Sequence, residues 1–232
     1  AKRQEAIALL RQSMEQFPQA IKLVQMLALL LNQEQGGQAE CESTLRQAIA
    51  RFEQPEARRL LSLLLADFYF QWQRQEDRYT WLSDMAKELP NDIPTKRRLL
   101  TCPAVLKDSA KAQALVDDIK SIESEAGWQW RFEQAKVWMD AANFKDYYPQ
   151  AVRLLQENLL ANPDDQASRF LLAMAHERAG QLQLAITTYR EALNRSPDDA
   201  RVIAAVVSAL EKAGQKEEPK EILARAEERE IS

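Results

Sequence analysis

Apolar residues recur at three- and four-residue spacing from Ala6 to Ala226, and strand-like alternation is nowhere sustained. That period puts one apolar stripe on each segment, which predicts a succession of amphipathic helices. Ala6-x3-Leu10 with Pro18 predicts a first helix standing alone. Val24-x2-Leu27-Ala28-x2-Leu31 and Cys41-x3-Leu45 with Ala48 predict a helix pair around a Gly36-Gly37 turn, and Ser62-x2-Leu65-Ala66-x2-Tyr69 with Leu82, Met85 and Pro90 predicts another. Within that second pair Arg78 stands where a small residue would let the two helices approach, so its long side chain is expected to snorkel outward. Between Pro90 and Trp128 the spacing falters. A short helix from Ile93 through Leu100 is closed by Cys102-Pro103, because proline disfavours helix at the residue before it. A long helix then runs from Lys107 to Glu125, with Ala112, Leu115, Val116, Ile119 and Ile122 on one face.

The last part of the chain repeats itself. Ala135-x2-Trp138-Met139-x2-Ala142, Arg169-x2-Leu172-Ala173-x2-His176 and Ile203-x2-Val206-Val207-x2-Leu210 open successive units. Their second helices carry Ala151-x3-Leu155, Ala185-x3-Tyr189 and Pro219-x3-Leu223, with Gly180 and Gly214 at turns. Pro163 and Pro197 fall at equivalent turns, each followed by two aspartates. A carboxylate at a helix start accepts orphan N–H groups and complements the helix dipole, so Asp164-Asp165 and Asp198-Asp199 are expected to cap. These slots resemble the tetratricopeptide pattern W-x2-L-G-x2-Y…A-x3-F…P. The resemblance is strongest over Phe132 to Ala226, weaker over Ile21 to Asp92 and weakest over Ile93 to Arg131. It implies an all-α fold, a right-handed alpha-alpha superhelix of about five helix pairs plus a leading single helix, whose concave surface holds another protein. The expected division is an N-terminal block over 1-92, an irregular joining segment over 93-131 and a C-terminal block over 132-232. The stretch Ile122 to Arg131 also looks like a segment of large multi-repeat bacterial proteins, which would make this chain one region of a longer polypeptide.

Composition narrows the function classes. With 232 residues, 46% of them hydrophobic, a sizeable core is available, while 5 glycines and 9 prolines give little punctuation for a sheet protein. The formal charge of -4 argues against a nucleic-acid partner, since such surfaces cluster Lys and Arg against phosphates. No apolar run approaches the roughly 20 residues of a bilayer span, so a soluble chain without direct membrane insertion is expected. Cys41 and Cys102 read as two idle buried thiols rather than a disulfide, which favours a reducing compartment such as the cytoplasm.

Catalytic chemistry is not legible. His176 is the only histidine and occupies the aromatic slot of the repeat, where packing or hydrogen bonding is its expected role. Gly180 stands where a zinc-binding H-E-x-x-H motif would need its second histidine, and the glycines match neither phosphate-binding loop pattern. No cofactor, no metal and no enzymatic activity are expected. The Asn194-Arg195-Ser196 sequon lies in a tight turn before proline and reads as accidental.

The remaining signal is a surface. The clusters Phe68, Tyr69, Phe70, Trp72, Trp81 and Trp128, Trp130, Phe132, Trp138 read as core at helical spacing rather than as an exposed ligand groove. Lys96-Arg97-Arg98 with Lys107 and Lys111 forms a basic concentration that reads as a solvated face. In the tetratricopeptide family the concave wall is built from first-helix residues left over from pairing. That register implies Leu60, Leu63, Leu64, Asp67 and Phe70; then Glu133, Lys136, Val137 and Asp140; then Phe170, Leu171 and Met174; then Arg201, Ala204 and Ala205. The partner-binding face is thus expected at Leu60, Leu63, Leu64, Phe70, Lys136, Val137, Phe170, Leu171, Met174 and Arg201. Relatives that grip a C-terminal carboxylate use inward Lys, Arg and Asn, and the matching positions here are largely apolar. The wall therefore predicts a protein or peptide partner, an amphipathic helix or extended apolar segment. The alternative is a structural spacer or a homo-oligomer, with the wall covered by neighbouring repeats or a second copy.

Overall fold

The computed structural model describes residues 2–231, with side chains through residue 228. Among these residues the chain forms helices and no strand. They are α1 (Lys2–Gln16), α2 (Ile21–Asn32), α3 (Gln38–Arg51), α4 (Pro55–Gln71), α5 (Gln75–Glu88), α6 (Ile93–Leu99) and α7 (Pro103–Leu106), followed by α8 (Ser109–Glu123), α9 (Trp128–Asp140), α10 (Phe144–Ala161), α11 (Gln166–Arg178), α12 (Leu182–Arg195), α13 (Ala200–Lys212) and α14 (Glu217–Ile231). Two compact units divide between Asp108 and Ser109. The segment expected to join two blocks is therefore shared out: α6 and α7 complete the first unit, and α8 opens the second.

In the first unit each helix from α1 to α6 packs on the next, α7 returns to α5, and α2 also meets α4. In the second each helix from α8 to α14 packs on the next, and α9 also meets α11. Contact in chain order, with first helices also meeting at α2/α4 and α9/α11, is the stacking of an all-α repeat solenoid. Each unit begins with a single helix, α1 or α8, ahead of its pairs. The cores follow the apolar stripes, with Leu27, Leu45, Leu65 and Tyr69 in the first and Ala151, Leu155, Leu172 and Ala175 in the second. Burying one such leucine contributes about 2 kcal/mol relative to leaving it in water.

Local chemistry sets where helices begin and end. The Asp165 carboxylate accepts from Ser168 N, that of Asp199 from Arg201 N and that of Asp92 from Thr95 N. It is the second aspartate of each Asp-Asp pair that caps; Asp164 instead pairs with Arg195. Gly180 and Gly214 close α11 and α13 at positive φ, and Gln181 N donates to His176 O at 2.8 Å as Gln215 N does to Leu210 O at 3.0 Å. This bond from beyond the helix end satisfies a carbonyl that the last turn leaves open. Gln73 takes the same left-handed conformation after α4, with φ 59°. Cys102 ends the α6 segment and Pro103 starts the one-turn α7, where its missing N–H costs nothing.

Four readings change, the first being that Lys96, expected on a solvated face, is only 6% exposed. Arg78 does not snorkel: it is 4% exposed, lying between α5 and its neighbours. Ala142 falls in the loop after α9 rather than inside it. Among the aromatic residues expected in the core, Phe70 and Trp128 are exposed, whereas Phe68, Tyr69 and Trp130 are buried. Cys41 and Cys102 are both buried free thiols. Burial pushes the Cys41 thiol up to about 12, so it stays protonated at neutral pH.

Candidate functional site

The second unit presents a groove made by α9, α11 and α13. Along α11, Gln166, Phe170, Met174 and Arg178 follow one another at four-residue spacing and so share one face. Two cavities open on that face. The first, about 380 Å³, is lined by Phe132, Lys136, Gln166, Ala167, Phe170, Leu171, Met174, Ser196, Asp199, Arg201 and Val202. The second, about 550 Å³, is lined by Met139, Asp140, Phe170, Met174, Glu177, Arg178, Tyr189, Ala205 and Lys212. Phe170 and Met174 belong to both, so the cavities are two lobes of one groove.

The floor is apolar and the rim carries both signs of charge. Phe170 stacks at a tilt on Tyr189, with ring centroids 5.6 Å apart, which holds it in place from the α12 side. Three of the four lining cations have an acidic neighbour: Lys136 Nζ lies 2.8 Å from Glu133 Oε2, Arg201 Nη2 2.9 Å from Asp199 Oδ2, and Lys212 Nζ 2.6 Å from Glu177 Oε1, whereas Arg178 donates to Ala141 O at 3.3 Å and lies over the Phe144 ring. Hydrogen bonding from Arg201 holds the Asp199 carboxyl below the usual carboxylate range. Tyr189 donates to Glu177 Oε2 at 2.9 Å, and burial followed by that carboxylate raises its hydroxyl well above the ordinary tyrosine value. Lys136, Arg201 and Lys212 are thus each paired within the rim.

Of the residues expected on the concave wall, Lys136, Phe170, Leu171, Met174 and Arg201 line one cavity. Leu171 reaches it only with an edge, being 8% exposed and part of the core between α9 and α11. Val137 is half-buried and lines neither lobe. In the first unit Leu60 and Phe70 are exposed, Leu64 packs partly on the core, and Leu63 is buried at 6% and offers no surface. Phe132, Gln166, Val202, Met139 and Tyr189 complete the lobes without having been anticipated. For Phe132 and Gln166 the signal was in the sequence: each lies four residues before an expected wall residue, Lys136 or Phe170. Tyr189 comes from a second helix, and only packing brings it there.

Polar side chains back the groove from behind. His176, buried on the opposite face of α11, lies with Nδ1 2.9 Å from the Tyr148 hydroxyl of α10, and burial lowers its pKa. In the first unit the equivalent Tyr69 donates to Glu42 Oε1 at 2.6 Å and accepts from Arg46 at 2.7 Å, both on α3. Both bonds reach the preceding second helix. The single histidine is thus part of the packing, as its place in the repeat implied. Among the described residues no group of His, Cys, Asp and Glu is placed to hold a metal ion, and no helix is long and apolar enough to cross a membrane.

A family model for the tetratricopeptide repeat matches residues 117–232. No curated protein matches the sequence. Among solved structures, a thermophilic tetratricopeptide protein of Thermus thermophilus is 17% identical with a TM-score of 0.61, covering 84% of this chain and 98% of that one. A tetratricopeptide repeat protein from Parabacteroides merdae is 11% identical with a TM-score of 0.60, covering 95% and 78%. MamA from Desulfovibrio magneticus is 18% identical with a TM-score of 0.52, covering 74% and 94%. At such identities the likeness speaks for the fold alone. With the stacking of α8 to α14, the turn glycines and a family match spanning half of its length, this chain belongs to the tetratricopeptide repeat family.

Proposed function

We propose that this protein is a non-enzymatic interaction scaffold whose second unit binds a peptide or amphipathic helix in the α9/α11/α13 groove. The observation that carries this reading is the pair of lobes sharing Phe170 and Met174. Their volumes lie in the range of ligand sites, with an apolar floor and a few polar groups to set orientation. Met174 is unbranched and adaptable, so the ridge between the lobes can follow more than one apolar side chain. Lys136 and Arg201 already have acidic neighbours, which favours an apolar ligand over a terminal carboxylate. A panel of amphipathic peptides titrated against the native chain and against Phe170→Asp tests it. Micromolar binding by the native chain should fall at least about tenfold in the variant, as expected for a charge placed in an apolar pocket. Helical content should stay unchanged; equal binding by both proteins removes the groove assignment.

A second reading rests on the first unit, where Met26, Leu29, Leu60 and Phe70 are exposed. Exposed apolar side chains on successive first helices suit burial against a second copy or neighbouring repeats. Sedimentation over a wide concentration range separates the readings. Mass that rises with concentration, and that returns to the monomer in Leu60→Asp, supports self-association.

A further inference from the structure

Arg78 is a buried cation with no ion pair among the described residues. Its single hydrogen bond runs from Nη2 to Thr101 Oγ1 at 2.9 Å, and its guanidinium carbon lies 4.9 Å from the centroid of the Phe70 ring. Nε and Nη1 have no acceptor. With one hydrogen on Nε, two on Nη1 and the second on Nη2, four of the five N–H donors of the group lack an acceptor. A guanidinium does not escape by losing its proton, so a positive charge stands in the interior without a counter-ion. The aromatic contact offsets only part of that cost. In the same unit Asp67 holds Arg98 through two bonds of 2.8 Å, Asp92 holds Arg59 and Asp77 holds Arg74. The cover over Arg78 is thin, because Phe70 is 54% exposed.

We propose that Arg78 anchors an oxyanion site in the first unit, taking a carboxylate or phosphate group that enters as the Phe70 ring swings aside. The planar fork of N–H donors matches two oxygens of either group, and the anion would supply both the missing acceptors and the missing charge. This site involves no residue of the second unit's groove and stands or falls separately from it.

Calorimetric titration at fixed ionic strength tests the proposal with two probes: inorganic phosphate, and a short capped peptide carrying one glutamate, with its glutamine counterpart as control. The native chain should bind at least one of the two anionic probes saturably, and Arg78→Ala should bind it at least about thirtyfold more weakly. The probe that binds more tightly tells a free phosphate from an acidic side chain of a partner. Absence of saturable binding to the native chain, or undiminished binding to Arg78→Ala, overturns the site. Phe70→Ala is the second variant, for the case in which Arg78→Ala does not fold. Removing the ring should tighten binding, and unchanged or weaker binding counts against the proposal.

Discussion

The α4/α5 and α11/α12 pairs share one spacing and solve it differently. Ser62, Leu65, Ala66 and Tyr69 of the first correspond to Arg169, Leu172, Ala173 and His176 of the second, and all eight are buried. The pairs part at two later slots. Where the second has Gly180 in the left-handed turn and fully buried Ala185 between its helices, the first has Gln73 and Arg78. The second pair closes on small residues and exposes an orderly inner stripe, which becomes the floor of a groove. The first pair must house a guanidinium, and its exposed ring, Phe70, covers that charge. Departures from the repeat at packing slots thus change what the inner surface presents, while leaving the stacking intact.

Transplanting the charge is the severest test of that contrast. Ala185→Arg should lower stability by about 3 to 5 kcal/mol, since Ala185 is fully buried and its slot has no room for the longer side chain and its charge. Urea denaturation measures it, and a loss below about 1 kcal/mol would make the two interfaces equally permissive.

Next in size is the polar knot behind α4. Glu42 accepts from Tyr69, Arg46 and Arg74. Burial alone would raise its carboxyl, but the hydrogen bonds from Tyr69, Arg74 and Arg46 outweigh it and leave the pKa lowered. Glu42→Gln should cost about 2 kcal/mol at pH 7, as for hydrogen bonds to a charged group. The native contribution is present above the unfolded value near 4.5 and is lost as pH falls through the folded one, so the variant's deficit should shrink in acid.

Gln73→Gly should stabilise the first unit by about 1 kcal/mol, and Gly180→Ala should destabilise the second by a similar amount, because only glycine takes positive φ without strain. Thermal melts of both variants compare the two turns directly, and equal shifts of one sign would contradict the assignment.

The smallest effect is expected at His176. Burial lowers its folded pKa below 6.5, so the unfolded chain takes up the proton first. Stability is therefore full above about 6.5 and declines as pH falls below it. His176→Tyr keeps an aromatic group in the slot and should flatten denaturation midpoints between pH 7 and 5.5.

Much of this was legible beforehand. Helix periods, the capping aspartates and the turn glycines are local properties, set by side-chain spacing and backbone preference within a few residues. The core of the groove was legible too, because Lys136, Phe170, Met174 and Arg201 follow from the repeat register. Its edges were not. Leu63 and Leu171 carry the same composition signal as Leu60 and Phe170, and sequence spacing does not say which of two adjacent apolar residues turns into the helix interface.

The sequence by itself determined an all-α repeat chain, the phase of its helices and the family to which it belongs, since these rest on periodicity within single helices and across one repeat. Only the tertiary structure decided that the chain divides between Asp108 and Ser109, that Tyr189 closes the groove from a second helix, and that Arg78 is buried rather than extended into water. These outcomes depend on distances between side chains far apart in the chain. They are fixed by how neighbouring helices share space and charge, and spacing along one helix does not carry that information.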